Sequence, residues 1–270
     1  MVAYTFEREK KIMTLIEAII LGIIQGLAEF LPVSSSGHLM VFHHLLGIES
    51  GDNLTFIVVL NLGTLLPLLF IFRKDILELI KQPFQKTVYL LLIATIPLII
   101  ITLLFGSFIE GLFQSTQFLA FGFLVTGVVL ILTDKISSTN KLIKNMRYLD
   151  SIIIGLAQAV AVFPGISRSG STISASLARG MTREEAAKFS FLMSIPAAFG
   201  ALVFRMLRIL TGHISIANLN FLILFVGFLA AAISGYLSIN FMMNLVKKAK
   251  LKYFALFYVF GLALLIFLLF

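Results

Sequence analysis

A carboxylate, a hydroxyl and an imidazole stand close together near the start of this chain. They are Glu29, Ser35 and His38, in the segment Gln25–His38, which reads QGLAEFLPVSSSGH. A serine hydroxyl can attack phosphorus, and an imidazole or a carboxylate can take its proton and later activate water. Gln25 precedes Glu29 by one helical turn, so on a helix the two side chains share a face. The set predicts nucleophilic or acid–base chemistry.

A second segment carries one permanent cation among hydroxyl groups. In PGISRSGST, Arg168 stands between Ser167 and Ser169, and Thr172 follows one helical turn later. Arginine suits two-point phosphate binding and keeps its charge. The segment therefore predicts an anion site, although Arg168 could instead form a structural ion pair with Glu29.

The two segments are copies of one pattern. A shift of 133 positions places Gln158–Ser171 on Gln25–His38, and the chemically different pairs are Glu29 and Val162, Ser35 and Arg168, and His38 and Ser171. A duplicated scaffold can keep in both copies what the fold needs and divide the chemistry between them. The serines common to both copies, Ser34 and Ser36 with Ser167 and Ser169, are expected to cap helices and to contact a bound phosphate together with Gln25 and Thr172.

Composition indicates the elements that must position these groups. The 270 residues are 59% hydrophobic and 13% charged, which is typical of a polytopic membrane protein. The net charge of +8 fits basic cytoplasmic loops better than nucleic-acid binding, so no nucleic-acid partner is expected. The first apolar run, interrupted by Glu17, is predicted to belong to the fold rather than to a cleavable signal peptide.

The apolar pattern predicts an all-α membrane protein with about six transmembrane helices and two re-entrant helix pairs. Pro32 and Pro164 break apolar runs that are too short to cross a bilayer, and those runs form the two pairs. The first pair is Ile12–Leu31 with Leu39–Leu46, and the second is Ile152–Val162 with Ile173–Ala178. The predicted crossings are Leu54–Phe72, Val88–Phe105, Phe118–Thr133, Phe189–Met206, Leu219–Met243 and Tyr253–Phe270.

Loop charge supports this topology. Of the 21 basic residues, 15 fall on one side, which the positive-inside bias assigns to the cytoplasm. Three crossings separate the copies, so the repeats, roughly 12–133 and 145–270, must be inverted within one integral membrane domain of residues 1–270. Inverted repeats with broken helices are typical of transporters, whose sites lie near the midplane.

The two segments together resemble undecaprenyl-diphosphate phosphatases of the bacitracin-resistance type. QGLAEFLPVSSSGH is similar to the family's (E/Q)xxxE segment and its PVSSxGH continuation, and PGISRSGST is similar to its PGxSRSxxT motif. The resemblance extends over essentially the whole chain. It implies hydrolysis of undecaprenyl diphosphate to the monophosphate carrier of cell-wall synthesis, in the plasma membrane and at an outward-facing site. The site residues it implicates are Gln25, Glu29, Ser35, His38, Ser167, Arg168 and Thr172.

The resemblance also implies a divalent cation, Mg²⁺ or Ca²⁺, and a possible homodimer among membrane lipids. Two departures weaken a metal site built from carboxylates: position 25 carries Gln, and relatives have an acidic residue and Gln where this chain has Ile57 and Asn61. Glu29 alone could hold a metal together with the substrate's phosphate oxygens. We expect Ser35 as nucleophile with His38 as its base, and Glu29 orienting that histidine or holding the metal.

Two alternatives remain open at this point. His38 could attack phosphorus directly, with Ser35 only positioning the substrate. The protein could also carry or flip the lipid phosphate across the bilayer rather than hydrolyse it. A carrier needs an anion site, whereas the combination of Glu29, Ser35 and His38 favours an enzyme.

Overall fold

The computed structural model describes residues 13–48, 53–113, 115–136, 140–211, 220–248, 251–256 and 258. Over these residues the regular structure is helical, and extended pairing is limited to one isolated bridge between Lys141 and Met181. The α-helices are α1 (Leu15–Phe30), α2 (Ser35–Leu45), α3 (Asn53–Ile71), α4 (Arg73–Lys81), α5 (Lys86–Leu112), α6 (Thr116–Thr133), α7 (Tyr148–Val160), α8 (Arg168–Ala178), α9 (Arg183–Leu210) and α10 (Phe221–Lys248). The predicted all-α class is confirmed.

The long helices are those of a multi-pass membrane protein, as predicted. Among the described residues, α5, α6, α9 and α10 are long and apolar enough to cross a membrane. α3 gives a fifth candidate when it is taken with α4, from which it is bent by 80°. The predicted crossing at Tyr253–Phe270 falls mainly outside the described residues, so the number of six stays a prediction.

The structure adds one helix and lengthens several others relative to the prediction; α9, for example, begins at Arg183 and not at Phe189. The chain between Arg73 and Lys81, expected to lie in a basic loop, is the helix α4. α4 is short and rich in charged residues, so the pattern of long apolar runs did not predict it. α5 also continues past the predicted end at Phe105 to Leu112.

The two halves of the chain begin their first helix in the same way. The carboxylate of Glu17 accepts a hydrogen bond from the backbone N–H of Thr14 at 2.8 Å, and that of Asp150 accepts one from the N–H of Arg147 at 2.9 Å. In each case the carboxylate lies three residues after the helix cap, where the helix dipole favours a negative charge. The 133-residue shift places Thr14 on Arg147 and Glu17 on Asp150.

Each short first helix packs on a long helix of the other half. A Cβ atom added to Gly22 of α1 would lie 2.5 Å from the carbonyl oxygen of Gly227 in α10. A Cβ atom added to Gly155 of α7 would lie 2.5 Å from the carbonyl oxygen of Ala94 in α5. The 133-residue shift relates both contacts, and it agrees with the predicted repeat. The halves therefore interlock, which brings their motifs together.

A non-helical elbow joins the two short helices in each half. The first elbow, residues 31–34, connects α1 to α2, and the second elbow, residues 161–167, connects α7 to α8. Pro32 and Pro164 lack the N–H that a continuous helix would use. Gly165 has a φ of 79°, a conformation that glycine adopts without steric cost.

Side chains from the other half satisfy the backbone of the first elbow. The hydroxyl of Tyr258 donates to the carbonyl oxygen of Pro32 at 2.6 Å. The hydroxyl of Ser169 donates to the carbonyl oxygen of Leu31 at 3.0 Å. Irregular backbone at membrane depth is tolerated where protein groups replace water in this way. These two bonds fix the first elbow against α8 and the C-terminal part of the chain.

The second elbow is held by α6. The hydroxyl of Thr126 donates to the carbonyl oxygen of Gly165 at 3.3 Å and accepts from the N–H of Ser167 at 3.1 Å. Gly122, one turn earlier in α6, allows the close approach, because its Cβ would lie only 2.0 Å from the carbonyl oxygen of Pro164. The second elbow is thus anchored through small residues of the first half.

Candidate active site

Glu29 is the centre of the hydrogen-bond network between the two elbows. Its Oε2 atom accepts from the hydroxyl of Ser35 at 2.6 Å and from Nε2 of Gln25 at 2.9 Å. Its Oε1 atom lies 2.5 Å from a guanidinium nitrogen of Arg168. The structure therefore joins the carboxylate and hydroxyl of the first motif to the cation of the second. The ion pair with Glu29, one of the two alternatives for Arg168, is therefore present, and anion binding by Arg168 stays a prediction.

Asn61 of α3 belongs to the same network. Its Oδ1 atom accepts from Nε2 of Gln25 at 2.6 Å, so the one amide group bridges Glu29 and Asn61. Sequence reasoning noted Asn61 only as a departure from related sequences. Its position 36 residues beyond Gln25 gave no local sign of the contact.

His38 does not contact Glu29 or the hydroxyl of Ser35. Its Nδ1 atom lies 2.9 Å from the carbonyl oxygen of Ser34, and its ring packs on Phe123 at a centroid distance of 5.6 Å. A carbonyl oxygen can only accept, so Nδ1 carries a proton, and in the neutral form of the ring Nε2 is the unprotonated nitrogen. The carboxylate, and not the imidazole, is the group beside the Ser35 hydroxyl.

The shared serines cap the two helices that follow the elbows. The hydroxyl of Ser34 accepts from the N–H of Gly37 at 3.3 Å, and that of Ser167 accepts from the N–H of Gly170 at 3.1 Å. This agrees with the expected capping role. The other backbone N–H groups in the first turn of α2 and of α8 have no acceptor within their own helix. The N-terminal ends of both helices therefore favour an anion.

The predicted phosphate contacts separate into two groups. A cavity of about 220 Å³, here called the polar cavity, is lined by Gln25, Glu29, Ser34, Ser35, Ser36, Ser167 and Arg168, together with Asn61 and the apolar residues Ala28, Leu39, Ile57, Phe113, Ala161, Val162 and Ile166. Ser169 and Thr172 do not line it. Thr172 is fully buried, and its hydroxyl lies 2.6 Å from that of Ser190. Which of these residues touch substrate stays a prediction.

The donor set does not make a divalent-cation site by itself. In the described part of the chain, no three His, Asp or Glu side chains lie close enough together to share a metal ion. Glu29 supplies the one carboxylate of the polar cavity, and Arg168, Ser35 and Gln25 already bind both of its oxygens. A cation here would depend mainly on phosphate oxygens of a bound substrate.

Known proteins are similar to this chain over most of its length. The sequence model of one protein family, described as bacitracin resistance protein BacA, matches residues 18–265. The chain belongs to this family. It is 43% identical over 243 residues to an undecaprenyl-diphosphatase of Carboxydothermus hydrogenoformans, covering 90% of this chain and 93% of that protein. It is 44% identical over 245 residues to an undecaprenyl-diphosphatase of Halothermothrix orenii, with the same coverage of 90% and 93%.

A third BacA-family relative is undecaprenyl-diphosphatase 4 of Bacillus thuringiensis strain Al Hakam. It is 44% identical over 255 residues, covering 94% of this chain and 96% of the relative. The family resemblance predicted from the two motifs is therefore confirmed. These relatives are named undecaprenyl-diphosphatases, which are phosphatases. The alternative interpretation of the chain as a pure lipid transporter is therefore not favoured.

Proposed function

We propose that this membrane enzyme hydrolyses undecaprenyl diphosphate to undecaprenyl phosphate and inorganic phosphate. The contact between Arg168 and Glu29 beside the Ser35 hydroxyl carries the proposal, because it unites the distinct halves of the duplicated motif at one cavity. Family membership supports the same reaction. The product would return the lipid carrier to cell-wall synthesis.

Substrate binding exchanges the partner of Arg168. The guanidinium binds Glu29, and both side chains are partly exposed beside the cavity. An entering diphosphate offers more negative charge and a matching geometry, so Arg168 turns to its phosphate oxygens. Glu29 then keeps its hydrogen bonds from Ser35 and Gln25 and is free of the guanidinium when it takes the Ser35 proton.

Ser35 is the nucleophile of the first step. Its oxygen attacks the terminal phosphorus while its proton passes to Oε2 of Glu29, which accepts its hydrogen bond at 2.6 Å. The bond from that phosphorus to the bridging oxygen breaks, and undecaprenyl phosphate leaves. Arg168 and the N-termini of α2 and α8 stabilise charge on the transferring phosphoryl group.

Water then attacks the phosphoserine and releases inorganic phosphate, which regenerates Ser35. The Nε2 atom of His38 takes the proton from this water, or Glu29 does so after passing the Ser35 proton to the departing undecaprenyl phosphate. In either case the protonated Glu29 returns a proton to the Ser35 oxygen as the phosphate leaves. The second candidate mechanism has His38 as the nucleophile. Acid-stable phosphate trapped on serine would support attack by Ser35, and acid-labile phosphate on histidine would support attack by His38.

The divalent cation and the homodimer stay proposals. When bound, Mg²⁺ or Ca²⁺ would neutralise phosphate charge, with Glu29 as a ligand once Arg168 has moved. Loop charge predicts that residues 108–116 lie outside, and Phe113 of this segment lines the polar cavity. We therefore propose that the site opens to the outer face of the plasma membrane.

The direct test is phosphate release from undecaprenyl diphosphate by the purified protein, with and without EDTA. We expect one phosphate for each lipid consumed, with undecaprenyl phosphate as the other product. Loss of activity in EDTA and its recovery with Mg²⁺ or Ca²⁺ would support the cation. Binding without any phosphate release would overturn the proposed hydrolysis.

Single cysteines test the orientation, because the chain contains none of its own. Gly111 and Asn140 are exposed, and the loop-charge pattern predicts residues 108–116 outside and residues 136–146 inside, so each of the two is replaced by cysteine. A membrane-impermeant thiol reagent should label position 111 on intact cells and position 140 only after permeabilisation. Labelling of both positions from the same side would contradict the inverted arrangement.

A further inference from the structure

A second cavity adjoins the polar cavity and differs from it in lining. This apolar cavity, of about 130 Å³, lies between α3 and α9, and Glu29, Asn61 and Arg168 border both cavities. Its apolar wall is formed by Phe30, Val58, Leu62, Leu65, Leu68, Ala197, Ala198 and Ala201. A ligand that follows the shared border would therefore pass from a charged site into a hydrocarbon-like one.

The two hydroxyl groups along the apolar cavity are bonded to the backbone of their own helices. The hydroxyl of Thr64 donates to the carbonyl oxygen of Asn61 at 2.7 Å, and that of Ser194 donates to the carbonyl oxygen of Phe191 at 2.6 Å. Hydroxyls that bond their own helix backbone leave methyl and methylene groups for other contacts. The cavity beyond Asn61 consequently suits an apolar occupant.

The α9 side of the apolar cavity is exposed at the protein surface. Ala201 lines it and is also exposed, and its helix neighbours Phe199 and Val203 are 47% and 54% exposed. The wall formed by α9 consists of Ser194 and three alanines, small residues that leave room that larger side chains would fill. An apolar chain could thus leave the protein sideways without crossing a polar layer.

We propose that the apolar cavity binds the first isoprene units of the substrate and that the remaining chain leaves between α3 and α9. This inference rests on the proposed function, since it places the diphosphate at Arg168 and Glu29. It adds the path of the hydrocarbon and names Ala198 and Ala201 as residues that select for a slender prenyl chain.

The test fills the cavity without touching the polar residues. Ala198→Phe places a ring inside it, Ala201→Leu fills its mouth, and Val203→Phe adds a ring on the exposed side of the same helix as a control. For each purified variant, the KM for undecaprenyl diphosphate and the inhibition constant of methylenediphosphonate, a headgroup without a tail, are measured. The free headgroup needs only the polar cavity, so it reports whether that cavity is intact.

We expect Ala198→Phe and Ala201→Leu to raise the KM about tenfold, a typical effect of lost apolar contacts in a hydrocarbon pocket. Their inhibition constants for methylenediphosphonate should match the wild type, and Val203→Phe should leave both quantities unchanged. An unchanged KM in both cavity variants, or a parallel weakening of methylenediphosphonate, would overturn the inference. If the wild type releases no phosphate, the proposed function itself fails, which is a separate outcome.

Discussion

The two elbows occupy equivalent places in the repeat, yet their backbones differ at the residue before each following helix. Ser34 of the first elbow has a φ of 67°, whereas Ser167 of the second has a φ of −76°. A non-glycine residue at positive φ is strained. In the second elbow the positive φ falls on Gly165, which accepts it without strain. The first elbow alone therefore holds a strained serine.

The strain lies directly before the hydroxyl that we assign to the chemical step. The first elbow supplies Glu29 and Ser35 from its two ends, and the relaxed second elbow supplies Arg168. Strained residues tend to occur where a site fixes the direction of a reactive group. The comparison indicates that duplication kept the capped elbow in both halves and that the chemistry then diverged.

The largest effect should come from removing the hydroxyl of the first elbow. Ser35→Ala deletes the nucleophile, so we expect kcat to fall by a factor on the order of 10⁴ or more. Ser171→Ala, in the corresponding region of the second half, is the control and should keep most of the wild-type rate. Phosphate release measures both. Near wild-type kcat in Ser35→Ala would show that Ser35 only positions the substrate.

The second elbow is tested through the shape of its cation. Arg168→Lys keeps the positive charge but loses the planar pair of donors, so kcat should fall about 10²–10³-fold, or roughly 3–4 kcal/mol of transition-state stabilisation. Arg179→Lys is the control, because Arg179 pairs with Asp150, away from the polar cavity. A lysine variant with normal turnover would mean that charge alone suffices at this position.

The smallest effect concerns the backbone difference itself. Ser34→Gly relieves the positive φ while losing a cap, so we expect little change in the free energy of unfolding. Ser167→Gly loses a cap and adds unfolded-state freedom without any relief, and should be less stable by about 1 kcal/mol. Thermal unfolding in detergent compares the two variants. Equal melting temperatures would argue that Ser34 is not strained.

The duplication and the motif residues could be predicted because they depend on local pattern. The 133-residue repeat, the prolines and the run of serines indicated two broken helix pairs, and the structure contains both short pairs. The confirmed family resemblance rested on the same residues. A duplicated pattern is informative because the positions that differ stand out against those that match.

Other features of the site depended on three-dimensional packing. Nothing near Gln25 in the sequence pointed to Asn61, and nothing near Pro32 pointed to Tyr258. The sequence also did not predict that Glu29 is the partner of the Ser35 hydroxyl, because the closer spacing to His38 favoured the histidine. Since α2 begins at Ser35, the ring of His38 lies one turn away and bonds the backbone of Ser34.

The central claim is that the two elbows form one catalytic site and that the pair between Arg168 and Glu29 serves substrate binding rather than stability. The decisive measurement is the melting temperature and kcat of Arg168→Ala, Glu29→Gln and the double variant. We predict melting temperatures within about 3 °C of the wild type, because water can reach the open cavity, and lost turnover in all three. A clear drop in the melting temperature of Arg168→Ala that Glu29→Gln restores would contradict the claim, since it would reveal a structural ion pair.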